Sequence, residues 1–203
     1  IKNAKNGDGD LLLVHEKELE EQFVADGYES KRFDLMFNDF ILIGPVDDPA
    51  NVGDADNIYK AFEKIYEKRA RFLSRGDNSG THIKELKIWN EVEVYNPSID
   101  QEWYFESGSG MGATLNMSVQ DSAYTLCDRL SWKSFKKKCN HTILLADRIN
   151  LINNYGIVLL NEEKYPKLNH NGAKKLAEWL LSKKGQKAIE GFKVNNQQMF
   201  FTQ

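Results

Sequence analysis

The sequence has few of the features that cross-link a small protein or anchor it in a membrane. Its 203 residues include only two cysteines and four prolines, and two thiols alone make neither a disulfide framework nor a complete metal site. No apolar run approaches the length that crosses a bilayer, and the first residues lack the apolar stretch of a secretory signal. These absences predict a soluble globular chain that is either mature or truncated at its start.

The charge balance makes a nucleic-acid partner unexpected. Lys and Arg number 27 against 30 Asp and Glu, which gives a net charge of −3 and a pI near 5.9, whereas a nucleic-acid binder normally shows a basic excess. A chain of this length can bury roughly 70% of its unfolded surface, enough for one domain or two small lobes. Cys127 is expected to be a buried free thiol, with a bridge to Cys139 left open.

Strand and helix patterns alternate along the chain, which is typical of an α/β fold. Continuous apolar runs, as in strands covered on both faces, occur at 10–15, 37–45 and 155–160. Helical spacing of apolar residues occurs at 16–27, 58–70 and 173–181, the last with a stripe through Ala173, Leu176, Ala177 and Leu180. No internal repeat is visible.

The most informative segment is Phe72–Ile83, where an apolar strand passes through a bend rich in glycine and hydroxyl groups into an amphipathic helix. A helix start exposes backbone N–H groups and the positive end of the helix dipole, so it attracts anions. Ser79, Gly80 and Thr81 offer main-chain donors and two hydroxyls, and Arg75 adds a planar cation. The helix is expected to pack on a sheet through Ile83, Leu86 and Trp89, with Lys84, Glu85 and Lys87 outside.

A second bend of the same kind lies at Phe105–Ala113, before another helical stretch. Gly110, Met111 and Gly112 offer main-chain donors there, and the two glycines allow a ligand to approach the backbone closely. The spacing does not match a dinucleotide fingerprint. Together the two bends suit a tetrahedral dianion, which needs several hydrogen-bond donors and no nearby carboxylate.

Three of these assignments have structural alternatives. Arg75 could form an ion pair with Asp77 or Asp128. Ser79 and Thr81 could be N-caps, a role that is compatible with anion binding because a cap leaves other N–H groups free.

Catalysis and metal binding are weaker interpretations of the same residues. His82 is expected to be a surface residue, or to contact the ligand-binding residues without touching the ligand. It is not expected to bind a metal ion, because no second histidine or cysteine has metal-ligand spacing. A serine hydrolase would use Ser79 or Ser109 with His82 and Asp77, but the sequence lacks the Gly-x-Ser-x-Gly elbow.

Several segments resemble the tungstate-binding proteins of bacterial ABC importers, in order along essentially the whole chain. The most specific is Ser74–His82, which reads SRGDNSGTH. The others include Trp103-Tyr104 followed by Gly110–Gly112, then Ala123–Arg129, Asn154–Ile157 and Ser182–Gly185. The resemblance implies the type II periplasmic-binding-protein fold, which molybdate- and sulfate-binding proteins share: two α/β lobes, joined by two crossing strands, that close on an oxyanion.

The resemblance also implies the division of the chain. The first lobe would comprise residues 1–40 and 160–203, and the second lobe, residues 41–159, would carry the anion-binding bends Ser74–His82 and Gly108–Gly112. Ile1 would fall inside the helix before the family's third strand, so the N-terminal strand, helix and strand of the first lobe would be absent. That part normally supplies half of the anion site. Thr125, at a strand end beside the two helix starts, would add a hydroxyl donor.

The function that the resemblance implies is capture, without catalysis or a cofactor, of tungstate or molybdate for an ABC permease. The location would be periplasmic or, with a lipid anchor, extracellular. The two oxyanions have nearly the same size and charge, so the sequence does not rank them. An anion-sensing module of a regulator is the alternative, although no DNA-binding helix-turn-helix is visible.

Overall fold

The computed structural model describes residues 2–15, 17–94, 97 and 102–202, without side-chain detail for residues 17–19 and 30. The chain divides into two compact units. Unit 1 comprises Ile1–Asn38 and Asn153–Gln203, and unit 2 comprises Asp39–Ile152. The sequence analysis predicted boundaries between residues 40 and 41 and between residues 159 and 160. In the structure the first boundary lies two residues earlier and the second lies seven residues earlier.

Unit 1 is built around the strand that returns from unit 2. Its described elements are α1 (Lys2–Lys5), β1 (Leu11–Val14), α2 (Lys17–Ala25), the first part of β2 (Glu29–Pro45), nearly all of β7 (Ile152–Leu160), α7 (His170–Leu181), α8 (Lys183–Glu190), β8 (Lys193–Val194) and β9 (Gln197–Gln198). Strand β7 lies between β1 and β2 in the sheet. It pairs antiparallel with β1, with Leu11 opposite Leu159.

The side chains of β7 alternate between two apolar clusters, which explains its continuous apolar run. Ile157 and Leu159 pack with Leu35 and with the small residues of α7, while Val158 and Leu160 pack with Phe23. In α7 the buried residues are Ala173 and Ala177. Leu176, which we expected on the same stripe, is instead 43% exposed. The prediction of this helix is confirmed, but its buried face is narrower than expected.

Unit 2 carries both glycine-rich bends. Its elements are α3 (Ile58–Lys68), β3 (Phe72–Ser74), α4 (Gly80–Glu91), β4 (Tyr104–Glu106), α5 (Met111–Gln120), β5 (Thr125–Asp128), α6 (Arg129–Ser134) and β6 (His141–Leu145). Strands β5 and β6 pair antiparallel with the last part of β2. Strand β6 has no counterpart in the sequence prediction.

Strand β3 stands in the middle of a small parallel arrangement. It pairs in parallel with β4, with Phe72 opposite Tyr104. On its other side Phe72 forms a parallel bridge with Tyr124, just before β5. An aromatic cluster of Phe62, Phe72, Trp89, Trp103 and Tyr104 fills the adjacent core.

The orientation of α4 differs from the prediction. Its buried residues are Thr81, His82, Glu85, Ile88 and Trp89, whereas Ile83 and Leu86 are half-buried. The expectation that Glu85 faces outward is therefore wrong, because its side chain turns inward to the aromatic cluster. Its carboxylate accepts hydrogen bonds from the Tyr104 hydroxyl at 2.8 Å and the Trp89 indole N–H at 3.2 Å.

Candidate functional site

Two helix starts meet at one edge of unit 2 because two neighbouring parallel strands each lead into a helix. Strand β3 is followed by the bend at residues 75–79 and by α4, and β4 is followed by the bend at residues 107–110 and by α5. The carboxyl ends of parallel strands lie at the same edge of a sheet. The N-terminal ends of α4 and α5 therefore come to that edge together, as the sequence predicted.

Ser107 ties the two bends to each other. Its backbone N–H donates to the carbonyl of Ser74 at 2.9 Å, and its hydroxyl lies 3.2 Å from the carbonyl of Arg75 and 2.8 Å from the hydroxyl of Thr114 in α5. Gly76 has a φ of +60°, and a Cβ there would stand 2.7 Å from the Cβ of Glu106. Only glycine fits this close approach without strain.

The start of α4 leaves two backbone N–H groups available. Ser79 is the N-cap, and its hydroxyl oxygen accepts from the N–H of His82 at 3.4 Å. Its own N–H donates to the carboxylate of Asp77 at 3.1 Å. The N–H groups of Gly80 and Thr81 have no hydrogen-bond partner among the residues that the structure describes. Ser79 is thus a cap, and the cap leaves the next two donors free.

The start of α5 is more open. Gly110 is the N-cap and has no side chain with which to satisfy the first turn. Within the described part of the chain, the N–H groups of Gly110, Met111 and Gly112 make no hydrogen bond. A Cβ placed on Gly110 or Gly112 would have no heavy atom within 4 Å. The backbone at Gly110 and Gly112 therefore borders open space on its Cβ side.

Arg75 is paired with a carboxylate, which was one of the alternatives. Its Nη2 contacts the Oδ2 of Asp77, whereas the carboxylate of Asp128 caps α6 by accepting from the N–H of Ser131. Burial would raise the pKa of Asp77, but the hydrogen bonds from Ser79 and the charge of Arg75 outweigh it and lower that pKa. The Nε of Arg75 is buried and makes no hydrogen bond to any described residue. The ion pair thus occupies only part of the guanidinium.

Thr125 is placed differently from the other predicted donors. It is fully buried, and its hydroxyl donates to the carbonyl of Leu73 at 2.6 Å. A hydroxyl has one proton to donate. In this conformation it joins β5 to β3 and leaves no proton for an anion.

Two titratable residues in this region were not recognised from the sequence as buried. His82 is 6% exposed, and its Nδ1 accepts from the N–H of Asn78 at 3.0 Å. Glu85 is 1% exposed, and burial raises its pKa from 4.5 to about 7. The recurrence of Thr81, Glu85, Ile88 and Trp89 at helical spacing was the available signal, but the charge of Glu85 placed it on the outer face.

Other ligand classes find little support in the described residues. No group of three or more His, Cys, Asp or Glu side chains there could hold a metal ion. No described helix combines the length and the apolar character that a bilayer span requires. Cys127 is buried and Cys139 exposed, and both are free thiols.

Comparison with known proteins identifies the family. Residues 1–184 match the family described as PBP superfamily domain. The chain belongs to the PBP superfamily. This PBP-superfamily chain is 41% identical over 191 residues to the tungstate-binding protein TupA of Peptoclostridium acidaminophilum, a match that covers 93% of the chain and 66% of that protein.

A second relative and a solved structure agree with this membership. A protein of Haloferax volcanii is 40% identical over 206 residues, which cover 99% of the chain and 59% of that protein. The tungstate-binding protein TupA from Desulfovibrio alaskensis G20 superposes with a TM-score of 0.85 at 36% identity, covering 100% of the chain and 82% of the solved one. The predicted type II fold and the resemblance to tungstate-binding proteins are both confirmed. The chain spans just under two-thirds of the P. acidaminophilum protein's length and less of the H. volcanii protein's length.

Proposed function

We propose that this chain is an extracytoplasmic solute-binding protein that captures tungstate, or molybdate, for an ABC importer. The observation that carries the proposal is the pair of adjacent helix starts, at Gly80 and Met111, whose first backbone N–H groups have no partner among the described residues. Such groups hold an oxyanion through hydrogen bonds and the helix dipole. The names of the relatives from P. acidaminophilum and D. alaskensis support tungstate as the oxyanion.

The donor set has the right size for tight binding. Nanomolar affinity corresponds to about 12 kcal/mol, and six charge-assisted hydrogen bonds of roughly 2 kcal/mol each reach that gross scale. The N–H groups of Gly80, Thr81, Gly110, Met111 and Gly112 are five such donors, and Arg75 adds a sixth. We keep the hydroxyl of Thr81 in the proposed shell and leave out those of Thr125, which is bonded to Leu73, and of Ser79, which donates to Asp77.

The same geometry argues for binding without catalysis. A serine hydrolase would need His82 to accept a proton from a serine hydroxyl. The Nδ1 of His82 instead accepts a hydrogen bond from the backbone N–H of Asn78. The hydroxyl oxygen of Ser79 accepts from the backbone N–H of His82, not from its ring. No cofactor is required for an anion that is bound and released unchanged. An anion-sensing regulator would use the same donors, but no feature of the described residues favours it.

The partner and location follow from the same proposal. A bound oxyanion would be delivered to the permease of a tungstate importer, outside the cytoplasmic membrane, in a periplasm or on a lipid anchor. The proposal includes neither a membrane-spanning segment nor a nucleic-acid partner.

Calorimetric titration with tungstate, molybdate, sulfate and phosphate tests the proposal. We expect tungstate or molybdate to bind more tightly than sulfate or phosphate. Arg75→Ala should weaken tungstate binding at least tenfold, because it removes a buried charged donor. Arg71→Ala is the matched control, since Arg71 lies on the same segment with its side chain half exposed. If none of the four anions binds, or if the chain hydrolyses generic esters, the proposal is overturned.

A further inference from the structure

The imidazole of His82 has a fixed tautomer. Its Nδ1 accepts a hydrogen bond from the backbone N–H of Asn78 at 3.0 Å. A ring nitrogen that accepts must carry a lone pair, so in the neutral ring the proton is on Nε2. A proton on Nδ1 would point at the Asn78 N–H and break this contact. The bend at residues 75–79 therefore selects the tautomer that donates through Nε2.

The Nε2–H group of this tautomer is buried without a hydrogen-bond partner among the described residues. His82 as a whole is more than nine-tenths buried. A buried donor without a partner is destabilising, and native structures keep few of them. The arrangement is explained if the partner is a ligand that the folded chain binds.

A second such donor belongs to the same bend. The Nε of Arg75 is also buried and has no described partner. The remaining orphaned atom in the described part of unit 2 is the Nδ1 of His141. The Nε2 of that ring lies 3.1 Å from the carbonyl of Ala123 and donates to it, so Nδ1 is an acceptor in the neutral ring. An anion can satisfy the two donors of the bend, and it cannot satisfy His141.

We propose that the Nε2–H of His82 donates a hydrogen bond to the bound oxyanion, with Asn78 holding the ring in the tautomer that donates. This inference rests on the proposed function, because it names a further donor for the same anion. His82 follows Gly80 and Thr81 in the first turn of α4, and its neutral ring would add a hydrogen bond without adding charge.

Two substitutions separate a donor from a structural support. In His82→Asn, the side-chain oxygen can stand where Nδ1 accepts from Asn78, but nothing replaces Nε2. In His82→Gln, the side-chain amide can stand near Nε2 and donate, while the acceptor for Asn78 is lost. A ligand donor predicts that His82→Asn binds tungstate roughly 10- to 100-fold more weakly than wild type and more weakly than His82→Gln. A purely structural role predicts the reverse order, and that order would overturn the proposal.

Nitrogen-15 NMR of the histidine ring in the full chain provides a readout that structural damage would not imitate. We expect the unliganded protein to show the Nε2–H tautomer of His82 and tungstate to shift its Nε2 and proton resonances, while the ring of His141 stays unchanged. His141→Gln is the matched control and should bind tungstate like wild type. Tungstate binding with an unchanged His82 signal would overturn this inference alone, whereas no binding by the wild type would overturn the proposed function as well.

Discussion

Thr125 shows how a residue can match a family pattern and still have its hydroxyl engaged elsewhere. In this chain the hydroxyl is fully buried and donates to the carbonyl of Leu73. Removing it with Thr125→Val leaves that buried carbonyl without the bond, which should lower the free energy of unfolding by about 1–2 kcal/mol. The affinity for tungstate should stay within about threefold of wild type, because no amide of the two helix starts is disturbed.

Urea unfolding and calorimetric titration of Thr125→Val measure the two effects separately. Thr125→Ser is the control, because it keeps the hydroxyl and loses only a methyl group. If the valine variant loses tenfold in tungstate affinity and the serine variant does not, the Thr125 hydroxyl does bind the anion.

Gly110 offers the opposite test, in which stability and binding should change in different directions. Asp is a better N-cap than Gly, and a Cβ at Gly110 meets no neighbouring atom. Gly110→Asp should therefore maintain or slightly raise the melting temperature. Its carboxylate would stand at the proposed anion site, so tungstate affinity should fall at least 100-fold by charge repulsion and loss of donors.

Gly110→Asn is the neutral control for this change. Its side chain can cap α5 in the same way, and it carries no charge. We expect a clearly smaller loss of affinity than in the aspartate variant. Equal affinities of the two variants, measured by calorimetry at the same ionic strength, would show that no anion binds over the start of α5.

At the scale of elements, the alignment of the two bends depends on the contact between Gly76 and Glu106. Gly76→Ala places a Cβ 2.7 Å from the Cβ of Glu106 at a φ of +60°, so β3 and β4 would have to shift. Gly27→Ala in unit 1 is a matched control, because its φ is +72° and no atom lies within 4 Å of its Cβ. Both variants carry the strain of a left-handed alanine, about 1 kcal/mol, and only Gly76→Ala adds the steric conflict.

We therefore expect Gly76→Ala to lower the free energy of unfolding by more than Gly27→Ala, by on the order of 1–3 kcal/mol. It should also weaken tungstate binding, because the amides of α4 and α5 would no longer converge on one anion. Equal losses of stability in the two variants, measured by urea titration, would contradict the role given to this contact.

Elements that carry a clear apolar period were predictable from the sequence, and those that depend on tertiary contacts were not. Strand β1 and helices α3 and α7 lie close to where their patterns placed them. Strand β6 was missed. The two helix starts followed from local glycine and hydroxyl chemistry, and the pairing of Arg75 with Asp77 was one of two alternatives. The partners of Thr125 and Glu85 include Leu73 and Tyr104, which are distant in sequence. Periodicity cannot supply that information.

At the scale of the whole molecule, the buried carboxyl of Glu85 makes stability depend on pH. Burial raises its pKa from 4.5 to about 7. Below pH 4.5 the group is protonated in both the folded and the unfolded chain. Between pH 4.5 and 7 the folded protein retains a proton that the unfolded chain releases, so stability falls as pH rises. Above pH 7 the loss is complete, and its size is about 3 kcal/mol.

Glu85→Gln removes this titration while it keeps an oxygen for the donors Tyr104 and Trp89. Relative to wild type, the variant should gain free energy of unfolding steadily from pH 4.5 to 7 and then hold a constant advantage. Urea titrations followed by tryptophan fluorescence measure the difference, since Trp89 itself donates to Glu85. Glu91→Gln is the control for the change of side chain, because Glu91 is exposed on the same helix. A difference between Glu85→Gln and wild type that does not vary with pH would mean that Glu85 ionises normally in the folded protein, despite its burial among aromatic rings.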